Sequence, residues 1–225
     1  MGVRASRAAR SPTVYHDRVK PVLYCATTNA AKVREFQAAL ADYYEVRQLP
    51  GMGQIAPPEE TGETFEENAA LKAMYYSGFC EDRVFADDSG LEVDALGGAP
   101  GVHSARFAGE DATDADNNRL VLERMDGVSA RSARFVCVIA VAVAGSLMAT
   151  FRGTVEGRLL TGPKGDHGFG YDPLFYYPPF GCSFGEAELH RKGEVSHRGE
   201  ALRSMRAFFE TAHASDSSRS SSSNP

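Results

Sequence analysis

The segment from Arg134 to Ala144 is strongly β-prone, and its apolar part, Phe135 to Ala144, is the longest apolar run of the chain. It has about half of the roughly 18 apolar residues that a transmembrane helix needs, so it predicts a buried strand instead. The small residues at 144–146 predict a turn, and Leu147–Arg152 predicts the hairpin partner of this strand. A further strand is expected over Val155–Leu160.

The N-terminal part of the body has a strand–turn–helix pattern. Val22–Ala26 is a short apolar run that a polar turn follows, and the next apolar residues recur at helical spacing: Val33, Phe36, Leu40 and Tyr43. Tyr44–Gln48 predicts a second strand, and the Gly- and Pro-rich stretch Pro50–Pro58 predicts a loop. With the hairpin in the middle of the chain, this pattern predicts an α/β fold built on a mixed sheet.

Three further helices have recognisable starts. Thr64 and Glu67 have the spacing of a capping box, which predicts a helix to about Phe79. Thr113 is a candidate cap for a helix that ends near Met125. Ser196 is a candidate cap for an amphipathic helix to Phe209, with its apolar face formed by Leu202, Met205, Phe208 and Phe209.

Composition excludes several classes of protein. The chain has 225 residues, 43% of them apolar and 24% charged, which is typical of one globular domain or of one domain with two lobes. The net charge of −6 argues against a general nucleic-acid binder. The four cysteines form no C-x-x-C motif and are interpreted as reduced thiols.

The two ends differ from the body. Residues 1–20 contain five basic side chains and one acid, and three interpretations fit them: a disordered leader, an organelle transit peptide, or an N-myristoylation signal. Residues 213–225 are rich in serine and are predicted to be disordered. The folded domain is therefore expected over 21–212, and the chain is expected to be cytoplasmic unless the leader directs it to an organelle.

A candidate anion site lies between the first strand and the first helix, over Thr27–Lys32. Free N–H groups at a helix N-terminus suit phosphate, and hydroxyl groups and Lys32 add donors and charge. The segment is not a Walker A loop. An ordinary helix cap beside a solvated lysine explains the same residues, and local evidence alone favours that interpretation.

Acidic residues form a second candidate site. Glu59 and Glu60 lie in a loop, and Asp87 and Asp88 follow the short predicted strand Val84–Ala86, where Asp-Ser-Gly is typical of a turn. One or two carboxylates with substrate phosphates are the usual ligands of Mg²⁺. Acids around the Thr64 helix start have a simpler explanation, because they stabilise that helix through its dipole.

Two candidate base-binding segments lie near the C-terminus. Glycines in the loop Gly162–Asp172 allow close approach to a ligand, and the aromatic residues beside them are suited to stacking on a base, although a surface loop explains them equally well. His197 and Arg198 place two cations in the first turn of the last helix, where they oppose its dipole. Such a local conflict often marks a site. No G-x-S-x-G or H-E-x-x-H motif supports a serine hydrolase or a zinc enzyme.

Taken in order, these segments resemble the inosine triphosphate pyrophosphatase family. The motifs are T-x-N-x-x-K, E-E-T-G-x-T-F-x-E-N-A-x-L-K-A, A-D-D-S-G-L-x-V-D-A-L-G-G-A-P-G, F-G-Y-D-P-x-F and S-H-R-G-x-A-L, which together span about Val22 to Phe209. The resemblance implies a long curved mixed sheet flanked by helices, with a nucleotide-binding cleft between two lobes. It also implies a homodimer and hydrolysis of ITP, dITP and XTP to the monophosphate and pyrophosphate with Mg²⁺.

The resemblance also implies roles for individual residues. Glu59 and Asp88 would hold Mg²⁺, Asp88 would also be the base for water, and Ser89 would touch the nucleotide. The phosphates would be bound by Thr27, Thr28, Asn29, Ala30, Ala31, Lys32, Lys72 and Lys192. The base would be bound by Phe169, Gly170, Tyr171, Asp172, His197 and Arg198.

Two departures and two alternatives remain open. The segment between Glu188 and Lys192 is about two residues shorter than in bacterial members of the family, which affects the placement of Lys192. The family usually has Gly where Thr28 stands, so Thr28 is strained if that position needs a positive φ. A related pyrophosphatase that prefers pyrimidine or standard nucleotides is one alternative, and a nucleotide-binding protein without activity is the other. His197 and Arg198 argue against the first, and the complete set of charged site residues argues against the second.

Overall fold

A seven-stranded mixed sheet with helices on both faces forms the body of the protein. The computed structural model describes residues 20–220, with side chains to residue 211. The strands are β1 (Val22–Cys25), β2 (Glu45–Gln48), β3 (Val84–Val93), β4 (Ser132–Val143), β5 (Ser146–Leu159), β6 (Phe175–Tyr177) and β7 (Cys182–Ser183). The helices are α1 (Ala30–Leu40), α2 (Phe65–Ser77), α3 (Asp114–Arg124), α4 (Leu189–Val195) and α5 (His197–Ser220).

The sheet order is β2-β1-β3-β4-β5-β6-β7. β1 pairs in parallel with β2 and β3, and the remaining neighbours are antiparallel. The predicted fold class, an α/β fold on a mixed sheet flanked by helices, is confirmed. The predicted hairpin is also present, because β4 and β5 pair along nearly their whole length.

The prediction that β3 ends before a turn at Asp87 and Asp88 is wrong. The strand continues to Val93 because β4 pairs with it throughout, with Asp87 opposite Ile139 and Asp88 opposite Val138. Turn propensity is a local preference that this long ladder overrides. Gly90 serves close packing instead, because a Cβ there would collide with Ser104.

The expected strands Leu147–Arg152 and Val155–Leu160 are one continuous strand, β5, which is a second correction. Gly153 lies between them and resembles a strand breaker in the sequence. In the structure it lets α5 approach the sheet, since a Cβ on Gly153 would collide with the His197 carbonyl.

The two faces of β3 are covered by different helices. Phe85 belongs to the core formed with α1 and α5, whereas Ala86 belongs to the core formed with α2. Side chains alternate along a strand, so Asp87 faces α1 and α5, and Asp88 faces α2. Two neighbouring carboxylates are thus buried on opposite sides of one sheet.

The helix starts follow the capping signals. Thr64 forms the predicted capping box, and Thr113, predicted only as a cap, forms a second one with Asp116. Ser196 accepts a hydrogen bond from the Gly199 N–H at the start of α5. Each buried apolar side chain on the inner face of α5 contributes about 1.5–3 kcal/mol to docking of this helix: Leu202, Met205 and Phe209.

Elements near the C-terminus differ from the predictions. The short helix α4 and strands β6 and β7 were not predicted. Helix α5 continues to Ser220, beyond the predicted end at Phe209 and into the segment predicted to be disordered, because extending a docked helix costs less than starting one. The leader prediction for 1–20 falls almost entirely outside the described residues, as does the end of the tail, 221–225. No helix in the described part is long and apolar enough to cross a membrane.

Candidate active site

A cavity of about 130 Å³ brings most of the predicted nucleotide-binding residues together. Ten of its lining residues were predicted from the sequence: Asn29, Lys32, Ser89, Phe169, Gly170, Tyr171, Asp172, Lys192, His197 and Arg198. Six others were not predicted: Gly90, Ser104, Ala105, Asp114, Asn117 and Phe135. The cavity therefore joins the start of α1, the middle of β3, the start of α5 and the loop before β6.

The predicted phosphate turn is held together by helix capping. The Asn29 side chain accepts hydrogen bonds from the backbone of Ala31 and Lys32, at 2.9 and 3.2 Å. The Thr27 hydroxyl accepts one from the Asn29 N–H at 3.1 Å. Thr28 is not strained by its backbone, because Ala144 is the only non-glycine residue with a positive φ in the described part of the chain. The turn thus keeps its shape without the family's glycine.

Asp87 is buried between two cations. The Lys32 Nζ lies 3.0 Å from Oδ1, and the Arg198 Nη2 lies 3.2 Å from Oδ2. Ser89 links the same groups, because its hydroxyl donates to Asp87 and accepts from Arg198. Burial alone would raise the pKa of Asp87, but Lys32 and Arg198 more than offset burial and hold this pKa well below its usual range.

Asp88 forms a separate cluster on the opposite face of the sheet. Its Oδ1 accepts a 2.6 Å bond from Lys72, and Lys72 also lies 3.1 Å from Glu60. Burial raises the pKa of Asp88, and Lys72 offsets only part of this effect. The Oδ2 of Asp88 is buried and has no hydrogen-bond partner among the described residues. Glu59, the predicted metal ligand, is exposed, and the neighbouring Glu60 is the residue that reaches this cluster.

The orphaned oxygen of Asp88 fits a cation. Mg²⁺ in nucleotide enzymes takes one or two carboxylates together with substrate phosphates, and Asp88 and Glu60 contact the same lysine. No group of three or more His, Cys, Asp or Glu side chains placed to hold a metal occurs in the described residues. The protein thus offers a partial set of ligands that a substrate would have to complete.

Lys192 is buried and pairs with two carboxylates. Its Nζ donates to Glu35 at 2.8 Å and to Asp172 at 2.6 Å. Asp172 also accepts a hydrogen bond from the Phe169 N–H at 2.9 Å, so Lys192 and Asp172 both have protein partners. Lys192 and Asp172 both line the cavity.

Glu35 is a site residue that the sequence analysis missed. It accepts from Lys192 and, at 2.6 Å, from Arg198, and these two cations hold its pKa below the usual range despite burial. One signal was available, since Glu35 follows Lys32 by three residues and so shares its helix face. The carboxylate continues the chain of charges from Arg198 to Lys192.

The loop before β6 is fixed by contacts with α3. Gly170 donates its N–H to Asp114 at 2.7 Å, and its carbonyl accepts from Asn118 at 2.9 Å. The Tyr171 hydroxyl donates to the Ser104 carbonyl at 2.8 Å, so this ring is anchored in the core. Phe169 remains beside the cavity. The loop is therefore a wall of the site and not a free surface loop.

Positive charge from His197 and Arg198 would be unfavourable at the N-terminus of α5, and each side chain avoids this cost in a different way. Arg198 is neutralised by Glu35 and Asp87. Burial, with Arg198 and Lys192 nearby, holds the pKa of His197 well below its ordinary value, so this ring is neutral. It stacks on Phe135 with the ring centroids 4.8 Å apart. A flat, uncharged wall thus stands beside a buried guanidinium group.

The neutral state of His197 predicts a pH effect on stability. The unfolded chain takes up a proton at this histidine below about pH 6.5 and the folded chain does not, so stability falls as pH decreases from 6.5. The slope approaches about 1.4 kcal/mol per pH unit. We expect His197→Gln to lose this part of the pH dependence, measured as the difference in the free energy of urea unfolding between pH 7 and pH 5.5. Variant His190→Gln, which changes an exposed histidine, should keep it, and an identical pH response in both variants would contradict the assignment.

Known proteins are similar to this chain in sequence over most of its length. The Ham1 family model matches residues 23–208. This chain belongs to the Ham1 family. A dITP/XTP pyrophosphatase of Syntrophobacter fumaroxidans is 49% identical over 190 residues, which cover 84% of this chain and 82% of that protein. A dITP/XTP pyrophosphatase of Deinococcus radiodurans is 49% identical over 182 residues, which cover 81% of this chain and 90% of that protein.

Solved structures of Ham1 proteins confirm the fold. The Ham1 protein of Staphylococcus aureus matches with a TM-score of 0.76 and 39% identity, covering 85% of this chain and 99% of that one. A nucleoside-triphosphatase described as a dITP/XTP pyrophosphatase from Mycobacterium abscessus matches with a TM-score of 0.66 and 34% identity. The match covers 82% of this chain and 98% of that one. The predicted membership of the inosine triphosphate pyrophosphatase family is thus confirmed for this Ham1 chain.

Proposed function

We propose that this chain hydrolyses ITP, dITP and XTP to the nucleoside monophosphate and pyrophosphate, and so removes non-standard purines from the nucleotide pool. The observation that carries the proposal is one cavity that joins Arg198, His197 and Phe135 to Lys32. Beside it, Asp88 follows Asp87 on β3 and is bonded to Lys72 of α2. A purine and a triphosphate need these two environments at the same time. The relatives described as dITP/XTP pyrophosphatases support the same substrate class.

The base end favours a 6-oxo purine. The Nε of Arg198 is buried without a hydrogen-bond partner beside the cavity, so a carbonyl oxygen on the base would satisfy it. Adenine presents an amino group at that position and would leave the Arg198 donor unpaired. An unpaired buried polar group costs about 1–3 kcal/mol, which corresponds to a discrimination of about 5- to 150-fold. The neutral His197 ring and Phe135 provide the flat surface for the purine.

The phosphate end combines lysine charge with carboxylates. Lys32 and Lys72 neutralise phosphate oxygens, and Asp88 accepts the proton of the attacking water. Asp88 and Glu60 would hold Mg²⁺, and Glu59 stays an alternative ligand from the sequence prediction. When bound, the metal supplies charge neutralisation for the triphosphate. Hydrolysis between the α and β phosphates needs this positioning and no covalent intermediate.

The choice between the two glutamates gives a matched test. We expect Glu60→Gln to raise the Mg²⁺ concentration needed for half-maximal ITP hydrolysis by about tenfold, because this carboxylate reaches the Asp88 cluster. Glu59→Gln, which changes the exposed neighbour, should leave it nearly unchanged. A Mg²⁺ titration of ITP hydrolysis in both variants shows which glutamate is the ligand. A raised Mg²⁺ requirement in Glu59→Gln and not in Glu60→Gln would indicate that Glu59 binds the metal.

Product analysis tests the cleavage position. Hydrolysis of ITP in ¹⁸O-labelled water, followed by mass spectrometry, should give IMP and pyrophosphate and no phosphate. One ¹⁸O atom should enter IMP if water attacks the α phosphorus, or pyrophosphate if it attacks the β phosphorus. Release of IDP and phosphate would contradict cleavage between the α and β phosphates.

The homodimer, the cytoplasmic location and the domain limits 21–212 stay predictions, as does the absence of a nucleic-acid partner.

A further inference from the structure

We propose that Asp87 is a positioning residue that couples the base-binding end of the site to the phosphate-binding end. It does so by sharing one carboxylate between Arg198 and Lys32. The inference rests on the proposed function, in which Lys32 contacts phosphate and Arg198 contacts the base. Asp87 differs from Asp88 in its surroundings, because it faces α1 and α5 and both of its oxygens have protein partners.

The contacts of Asp87 converge on one oxygen. Oδ2 lies 2.9 Å from Lys32 Nζ, 3.2 Å from Arg198 Nη2 and 3.1 Å from the Ser89 hydroxyl. The carboxylate is buried, with 1% of its side chain exposed, so water does not replace either cation. Low polarity around a buried charge makes each of these attractions stronger than at the surface. The two cations therefore compete for the same negative charge.

Lys32 is the more accessible of the two cations. Its side chain is 18% exposed and faces the cavity, whereas the Arg198 side chain is 2% exposed and held on its other side by Glu35. Incoming phosphates would have to draw Lys32 away from Asp87. How firmly Asp87 holds Lys32 depends on how much of its charge Arg198 neutralises, and Arg198 in turn is shared with Glu35.

This arrangement predicts that substitutions of Arg198 and Glu35 change the binding of inorganic pyrophosphate in opposite directions. Pyrophosphate is a suitable probe because it carries no base. Arg198→Met leaves the whole Asp87 charge to Lys32, so pyrophosphate should bind about fivefold more weakly. In Glu35→Gln, Arg198 keeps Asp87 as its only carboxylate partner and neutralises more of the Asp87 charge. Asp87 then holds Lys32 less firmly, so pyrophosphate should bind more tightly. Asp87→Asn should also tighten binding, and it should abolish the influence of Arg198 and Glu35 substitutions on pyrophosphate.

The experiment is calorimetric titration of the full chain with pyrophosphate, with circular dichroism to confirm that each variant is folded. Lys32→Met provides a second background in case Asp87→Asn does not fold. In that background, the Arg198 and Glu35 substitutions should no longer change the affinity. Glu92→Gln is the matched control, since it removes a carboxylate of β3 that pairs with Arg134 at the surface. It should bind pyrophosphate like the parent chain.

Three results would overturn the inference. Weaker binding in both Arg198→Met and Glu35→Gln would indicate general damage to the site. Persistence of their opposite effects in Lys32→Met would indicate direct attraction between these charges and pyrophosphate. Failure of the parent chain to bind millimolar pyrophosphate would remove Lys32 from phosphate binding. Since none of these measurements needs turnover, ITP hydrolysis by the parent chain tests the proposed function separately.

Discussion

Asp88→Asn is expected to lower kcat for ITP by about a thousandfold while nucleotide binding is retained. A positioned general base contributes about 10²- to 10⁴-fold, and the neutral amide can neither accept the proton of water nor bind a cation well. The amide has nearly the same shape as the carboxylate and still accepts a bond from Lys72. The loss should therefore appear in kcat and not in the dissociation constant of ITP.

Single-turnover kinetics and equilibrium binding of ITP separate these two quantities for Asp88→Asn. Asp94→Asn is the control, because it changes an exposed aspartate after β3 that pairs with Arg134 at 2.9 Å. We expect the control to keep the parent kcat. Full activity of Asp88→Asn would remove Asp88 both as base and as metal ligand.

Arg198→Ala is expected to have the second-largest effect, on both selectivity and stability. The donor that a 6-oxo group satisfies disappears, so the KM for ITP should rise and the ITP/ATP ratio of kcat/KM should fall by about tenfold or more. Removing the guanidinium also leaves Glu35 and Asp87 buried without this cation. Breaking a buried ion pair in this way destabilises a protein by about 3–5 kcal/mol.

Kinetics with ITP and ATP and thermal unfolding measure the two effects of Arg198→Ala. Arg203→Ala is the matched control on the same helix, because Arg203 is exposed and its side chain bonds the Gly193 carbonyl. It should leave the ITP/ATP ratio unchanged and alter the unfolding temperature little. An unchanged ITP/ATP ratio in Arg198→Ala would contradict recognition of the 6-oxo group by this residue.

The sequence predicts those parts of the fold that depend on local signals. The capping box at Thr64, the helix cap at Thr113 and the apolar run of β4 involve neighbouring residues, and the structure contains all three as predicted. Strand β3 shows where local signals fail. Its Asp-Ser-Gly segment has the composition of a turn, but the pairing partner that keeps it extended lies about fifty residues away.

The same limit applies to the site. Ten of the residues that line the cavity, from Asn29 to Arg198, could be predicted because they stand in local motifs, and six were not predicted. The partners of those residues could not be predicted, since they depend on contacts between distant segments. Lys192 was expected at the phosphates, yet Glu35 and Asp172 enclose it, and Glu60 rather than its neighbour Glu59 reaches Lys72.

The assignment of Asp87 and Asp88 to opposite faces follows from the strand that replaces the predicted turn. In a turn, the two carboxylates would repel each other at one place. In β3 each has its own lysine, Lys32 for one and Lys72 for the other. This separation allows one aspartate to position cations while the other keeps an unpaired oxygen.

The most direct test is release of pyrophosphate from ITP, XTP, ATP, GTP, dUTP and CTP, each with and without Mg²⁺. We expect Mg²⁺-dependent release from ITP and XTP and little from the other nucleotides. Release only from dUTP or CTP would contradict the purine site built by Arg198 and His197. No release from any nucleotide, with ITP still bound, would show that the chain is a nucleotide-binding protein without this activity.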